Sequence, residues 1–136
     1  MNILVISASN PSKNAGIFIQ DFANFSQRVN VFANSDDYSG ESMTNPMVPI
    51  KFKNLAQERV VIGKHVIIGC GSVVLPGVEI REGSAIGALS FVNHDIEKWS
   101  IYAGVPARKV KNRSRELLRL ENEFVASMVA PMGRKN

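Results

Sequence analysis

From Ile62 onward, an aliphatic residue returns at every sixth position. The chain reads IGKHVI, IGCGSV, VLPGVE, IREGSA, IGALSF, VNHDIE, so Ile62, Ile68, Val74, Ile80, Ile86 and Val92 lead successive units, and all are β-branched. The fifth places hold Val66, Ser72, Val78, Ser84, Ser90 and Ile96, each small or β-branched, while glycine falls second (Gly63, Gly69, Gly87) or fourth (Gly71, Gly77, Gly83). A six-residue step drifts around an α-helix, so no helical face collects these positions. A β-sandwich would alternate with period two between turns every 8–12 residues, which does not fit either. The pattern predicts a short strand and a tight bend, repeated three times per turn, in a triangular coil. Leading aliphatics then stack inside the prism from coil to coil, compact fifth residues sit near the bends, and glycines supply bend conformations.

The same phase appears upstream in IQDFAN, FSQRVN and VFANSD, led by Ile19, Phe25 and Val31 with Ala23, Val29 and Ser35 in fifth place. Residues 36–61 break it; a polar, turn-rich excursion leaves the array after Ser35 and returns near Val60. Met1–Ala8 reads as a buried strand followed by the turn-rich SNPSKNAG. In isolation that stretch looks like a flavodoxin-like strand and phosphate loop, but no further βα units follow it, so it is read as capping or opening the array. At the other end Ser114 is placed to cap a helix over about 115–129 that stops before Pro131. Leu117, Leu118, Phe124, Val125, Met128 and Val129 share one face of it with Glu121 as the polar exception, a stripe suited to covering the array's end or a neighbouring subunit. The expected organisation is a repeat domain over 1–113 with its excursion, then a helix and tail over 114–136.

Composition narrows the class. In 136 residues no apolar run approaches the roughly 20 needed to span a bilayer, and Ile3–Ala8 is too short for a secretory core, which points to the cytoplasm and away from membranes. Cys70 is the only cysteine, so no internal disulfide forms, and no zinc-ligand spacing occurs; no metal is expected. The net charge of +4 owes much to Arg108, Lys109, Lys111, Arg113, Arg115 and Arg119. Aromatic residues are not interleaved there, which argues against nucleic acid and suits a small polyphosphate, with a solvated helix face as the plain alternative beyond Arg113. No GxxxxGK loop is present to hold phosphates.

The string IGALSFVNHDIEKWSIYAGVPARKVK resembles the closing coil of the hexapeptide-repeat acyltransferases, in particular the galactoside, maltose and nucleotide-sugar acetyltransferases, and the likeness extends over roughly 17–112. It implies an all-β, left-handed parallel β-helix with a C-terminal α-helix, assembled as a homotrimer with active sites between subunits. It also implies acetyl-CoA as co-substrate and a sugar or nucleotide-sugar acceptor. Members of the family generally carry more coils, or an N-terminal region, before this point, which implies a shortened form. A non-catalytic relative that keeps the CoA groove is therefore the competing reading.

The likeness also carries site residues. Where the family's catalytic histidine is expected, VFANSDD has Asp36. A sugar hydroxyl needs a base matched to neutral pH to attack a thioester, and a carboxylate is a weaker base than an imidazole. An amine brings its own lone pair once its ammonium loses a proton, and a carboxylate can orient it. We therefore expect an amino-sugar acceptor held by Asp36 or Asp37. The string SDDYSG is similar to that of nucleotide-sugar N-acetyltransferases supplying surface polysaccharide; a hydroxyl acceptor, or aspartates that merely cap a turn, are the alternatives. Matched positions put Cys70, Ala88, Asn93 and His94 along the pantetheine arm. Ala103 and Gly104 would let backbone approach it, with Arg108 and Lys111 at the phosphates. Cys70 lacks a histidine in its own repeat to activate it, so direct transfer from CoA is expected over an acyl-enzyme. His65, at a bend, is expected on the surface.

Overall fold

The computed structural model describes residues 4–6 and 15–129. In chain order its strands are β1 (Leu4–Ile6), β2 (Ile17–Ile19), β3 (Asn24–Phe25), β4 (Asn30–Phe32), β5 (Asn34–Ser35), β6 (Ala56–Gln57), β7 (Val60–Ile62), β8 (Ile67–Ile68), β9 (Val73–Val74), β10 (Glu79–Ile80), β11 (Ala85–Ile86), β12 (Phe91–Val92), β13 (Ser100–Ala103) and β14 (Arg108–Asn112), followed by helix α1 (Glu116–Val129). Three parallel stacks form the faces of a prism. Face A runs β1-β4-β9-β12, face B runs β10-β7-β2, and face C runs β14-β13-β11-β8-β3 with only β14 antiparallel. The register repeats each coil: Phe91 lies opposite Val73, Ala85 opposite Ile67 and Glu79 opposite Val61. The eighteen-residue triangular solenoid predicted by the repeat is thus present, mostly β with one C-terminal helix.

Inside the prism Ile62, Ile68, Val74, Ile80 and Val92 are fully buried and Ile86 nearly so, and every fifth-place residue from Val66 to Ile96 is buried too. Full burial of one such aliphatic contributes about 1.5–3 kcal/mol. Buried serines stay paired: Ser72 Oγ donates to the Gly87 carbonyl (3.0 Å) and accepts from Ser90 N–H (3.2 Å). One leading residue departs from the expectation. Ile19 faces inward opposite Ile62, yet it is 50% exposed, because no described strand pairs with the outer edge of β2.

Bends stack as well as strands. Register aligns Phe22, His65, Gly83 and Trp99 at the corner between faces B and C, all with left-handed backbone. Such a conformation costs a bulky residue roughly 1–2 kcal/mol, which the contacts made here offset. Phe22 stacks on His65 (ring centroids 5.1 Å, 7° apart), and Trp99 lies so close over Gly83 that a Cβ there would fall 2.3 Å from the ring. Helix α1 covers this column. Phe124 meets Phe22 edge-on, and the Glu121 carboxylate takes His65 Nε2 at 2.6 Å and Lys64 Nζ at 2.5 Å. Arg113, just before the helix, donates to the carbonyls of His65 and Gly83.

His65 is therefore not the surface residue expected. It is only 9% exposed, clamped between Phe22, Trp99 and Glu121. Glu121, the polar exception in the apolar stripe, is the helix's anchor. The helix starts as expected, with Ser114 Oγ accepting Glu116 N–H (3.2 Å). Among its apolar residues Leu117 and Leu118 are half-buried and Phe124 rests half exposed against Phe22, while Leu120, Val125, Met128 and Val129 are exposed. The SNPSKN stretch and the tail after Val129 lie outside the described residues.

Candidate active site

The excursion leaves the prism at the corner between faces A and B. Its neck is closed by antiparallel pairing of Asn34 with Gln57 and Ser35 with Ala56, and by Glu58 N–H on the Ala33 carbonyl (3.0 Å). Beyond the neck the two aspartates part company. Asp37 turns back into the loop, accepting Ser39 N–H (2.8 Å) and Ser42 Oγ–H (2.6 Å), and these bonds, Ser42's foremost, hold its carboxyl below the usual carboxylate range. Asp36 is exposed and lines a cavity of about 460 Å³ with Phe32, Asn34, Ser35, Tyr38, Leu55, Val73, Leu75 and Phe91.

That cavity lies against the outer side of face A. Inward positions on this face are Val31, Val74 and Val92, so Phe32, Val73, Leu75 and Phe91 point outward between them. Asn34 adds a polar atom: its Oδ1 is buried without a hydrogen-bond partner among the described residues, a cost that a bound donor would remove. Sequence reasoning missed these lining residues, although the signal was available. Val73, Leu75 and Phe91 occupy outward places of the repeat that elsewhere hold Arg81, Glu79 or Asn93.

The residues expected along the cofactor arm divide between two corners. Register aligns Gln27, Cys70, Ala88 and Gly104 at the corner between faces C and A, with Ser26, Gly69, Gly87 and Ala103 beside them. Cys70, Ala88 and Gly104 are exposed there, and adjacent coils are tied by Leu89 N–H on the Cys70 carbonyl (2.8 Å) and Phe91 N–H on the Gly104 carbonyl (2.9 Å). Coils approach so closely that a Cβ on Gly69 would meet the Ala88 backbone nitrogen at 2.5 Å. Leu89, not singled out from sequence, is 73% exposed beside Ala88. Arg108 continues this column, since it pairs across from Ala103, while Lys111 lies further along opposite Ile101; both are exposed. Asn93 and His94 sit one face away, at the opposite end of β12, where His94 Nδ1 meets Asn93 Oδ1 at 3.0 Å and its ring leans on Tyr102. Among the described residues no group of three His, Cys, Asp or Glu could hold a metal.

A family model, the bacterial transferase hexapeptide with six repeats, matches residues 59–94. Residues 59–94 thus carry the bacterial-transferase hexapeptide repeat. It is 48% identical over 113 residues to the dTDP-4-amino-4,6-dideoxy-D-glucose acyltransferase of Escherichia coli, covering 83% of this chain and 59% of that one. It is similar to AntD, an N-acyltransferase from Bacillus cereus solved with dTDP-4-amino-4,6-dideoxyglucose and coenzyme A (47% identity, TM-score 0.81, 83% of this chain and 61% of that one). AntD has also been solved with dTDP and 3-hydroxybutyryl-CoA. A galactoside acetyltransferase in complex with coenzyme A is more distant (25% identity, TM-score 0.68, 85% of this chain and 51% of that one). The hexapeptide chain thus spans about three fifths of the length of its similar relatives.

Proposed function

We propose that this chain is the repeat-bearing part of an acyl-CoA-dependent N-acyltransferase whose acceptor is the amine of an amino-sugar nucleotide. The observation that carries the reading is Asp36 facing a cavity on face A, a face flanked by the column of small residues at Cys70, Ala88 and Gly104. The neutral amine nitrogen attacks the thioester carbon, the C–S bond breaks, CoA leaves as its thiolate, and the proton lost from nitrogen passes by way of the Asp36 carboxylate and solvent to the leaving sulfur. The E. coli and B. cereus relatives, named for this chemistry, support the acceptor class. The altered residues in two AntD structures are a serine and an aspartate ten positions apart, and Ser26 and Asp36 are the one such pair in this sequence. Ser26 lies on the small-residue column and Asp36 on the cavity, so the two bracket face A.

The acyl group need not be acetyl, since AntD binds 3-hydroxybutyryl-CoA and apolar Phe32, Leu55, Val73, Leu75 and Phe91 surround the cavity here. A left-handed winding and a homotrimer are part of the same proposal, as is a cytoplasmic location, where acyl-CoA is at hand. The uncovered apolar residues of α1 support assembly, and no helix among the described residues is long and apolar enough to cross a membrane.

Thiol release from acetyl-CoA and 3-hydroxybutyryl-CoA with dTDP-4-amino-4,6-dideoxyglucose tests the reading. Turnover is expected with one or both donors, and Asp36→Asn is expected to lower kcat by about 10²-fold or more. An unchanged kcat in Asp36→Asn removes the residue from the chemistry, and no release with either donor favours a non-catalytic solenoid.

A further inference from the structure

A second hollow, of about 430 Å³, lies within the excursion itself, between Gly40–Met43 on one side and Lys51–Lys53 on the other. The two sides are joined by Met43 N–H on the Phe52 carbonyl (2.9 Å). Lys51 Nζ stands 4.9 Å from the centre of the Phe52 ring, a cation–π contact that holds the ammonium at the rim. Neither Lys51 nor Lys53 has a carboxylate within 4.0 Å among the described residues, although Glu41 lines the same hollow. Two lysines against one glutamate leave the hollow net positive, with neither ammonium paired to a carboxylate among the described residues.

The hollow is coupled to the cavity at Asp36. Ser42 lines the hollow and donates to Asp37, the neighbour of Asp36. Gly40 follows Asp36 by four positions, so the chain holds the two within about 14 Å. The cavity offers a carboxylate and the neighbouring hollow a pair of ammonium groups. An amino-sugar nucleotide has the complementary layout, with an amine at one end and a diphosphate at the other. Resting on the acyltransferase reading above, we propose that the hollow receives the acceptor's nucleoside diphosphate, with Lys51 and Lys53 on its phosphate oxygens. CoA also carries a diphosphate, and the test separates the two.

The experiment titrates dTDP and, separately, CoA into the full chain at low salt by calorimetry, with Lys51→Ala/Lys53→Ala compared against wild type and against Lys51→Arg/Lys53→Arg. Lys51 is exposed and Lys53 half-buried, and neither belongs to the prism core, so circular dichroism is expected to be unchanged. Loss of two charge-assisted bonds is expected to weaken dTDP by about tenfold or more while CoA affinity holds, and the arginine pair is expected to restore it. In turnover, KM for the nucleotide acceptor rises by the same factor with kcat within about twofold. Unaltered dTDP affinity in the alanine pair, or no dTDP binding by wild type, overturns the proposal. Weakened CoA in place of weakened dTDP overturns it too, by giving the hollow to the donor. Should thiol release fail in wild type, the acyltransferase reading falls on that result alone, because dTDP binding is measured without chemistry.

Discussion

Glu121 Oε2 and His65 Nε2 lie 2.6 Å apart, joining the C-terminal helix to a solenoid bend fifty-six residues earlier. The bend is conformationally costly for histidine, and the helix buries none of its own residues. Each element is held in place by the other.

This contact predicts an acid-sensitive helix. The Lys64 ammonium, and after it His65, hold the Glu121 carboxyl below its usual range. A depressed folded value means that the contribution is complete above the unfolded value of about 4.3 and is lost as pH falls through the folded one. Trp99, the only tryptophan, lies 6.5 Å from the His65 ring and reports on the corner. Its emission is expected to shift as pH drops below that range. In Glu121→Gln the shift is expected to be already present at neutral pH, and to show no further change over the same interval.

Ser90 links the core to the small-residue column. Its hydroxyl donates to the Gly87 carbonyl (2.7 Å) and accepts Gly104 N–H (3.1 Å). Ser90→Ala removes the partner of Gly104 N–H and leaves the Gly87 carbonyl with Ser72 Oγ alone, at a cost of about 1–3 kcal/mol in urea denaturation. If the column is the donor groove, KM for acyl-CoA is expected to rise while that for the acceptor stays put.

Gly69 tests how tightly the coils stack. A methyl group there meets Ala88 N at 2.5 Å and the Gly87 carbonyl carbon at 2.7 Å, both backbone, so the coils must separate. Gly69→Ala is expected to destabilise by about 1–3 kcal/mol or more, read as a fall in Tm. Gly40→Ala is the control, since nothing lies within 4 Å of its added Cβ and only its left-handed backbone objects.

Asp37 is expected to act on order rather than chemistry. Asp37→Ala removes the acceptor of both Ser39 and Ser42, so limited proteolysis is expected to cut the excursion faster. KM for the acceptor is expected to rise more than kcat falls. A kcat loss as large as that of Asp36→Asn, with KM unmoved, would exchange the two roles.

The solenoid was legible because its period is local: each six-residue unit repeats the same demand for an aliphatic, a compact residue and a bend. Ile19 met that demand yet stays half exposed, since a period shows phase but not which coil ends the stack. The burial of His65 is not legible in the sequence for a different reason. Its neighbours Phe22, Trp99 and Glu121 arrive from three other places in the chain, and only the register brings them together. Counting in sixes does show that residues 88 and 94 fall on successive corners, a distinction the family likeness passes over. The different settings of Asp36 and Asp37 follow from Ser39 and Ser42, an aspartate-to-serine turn that is visible in SDDYSGES once Asp37 is considered apart from its neighbour.

The closed neck at Ala33 and Glu58 has a broader consequence. With the two ends pinned side by side, what hangs beyond them can lengthen, shorten or change sequence without straining the prism. The excursion is thereby an exchangeable cassette. On the acyltransferase reading proposed above, donor-side architecture can be inherited unchanged while acceptor preference is rewritten between two fixed points.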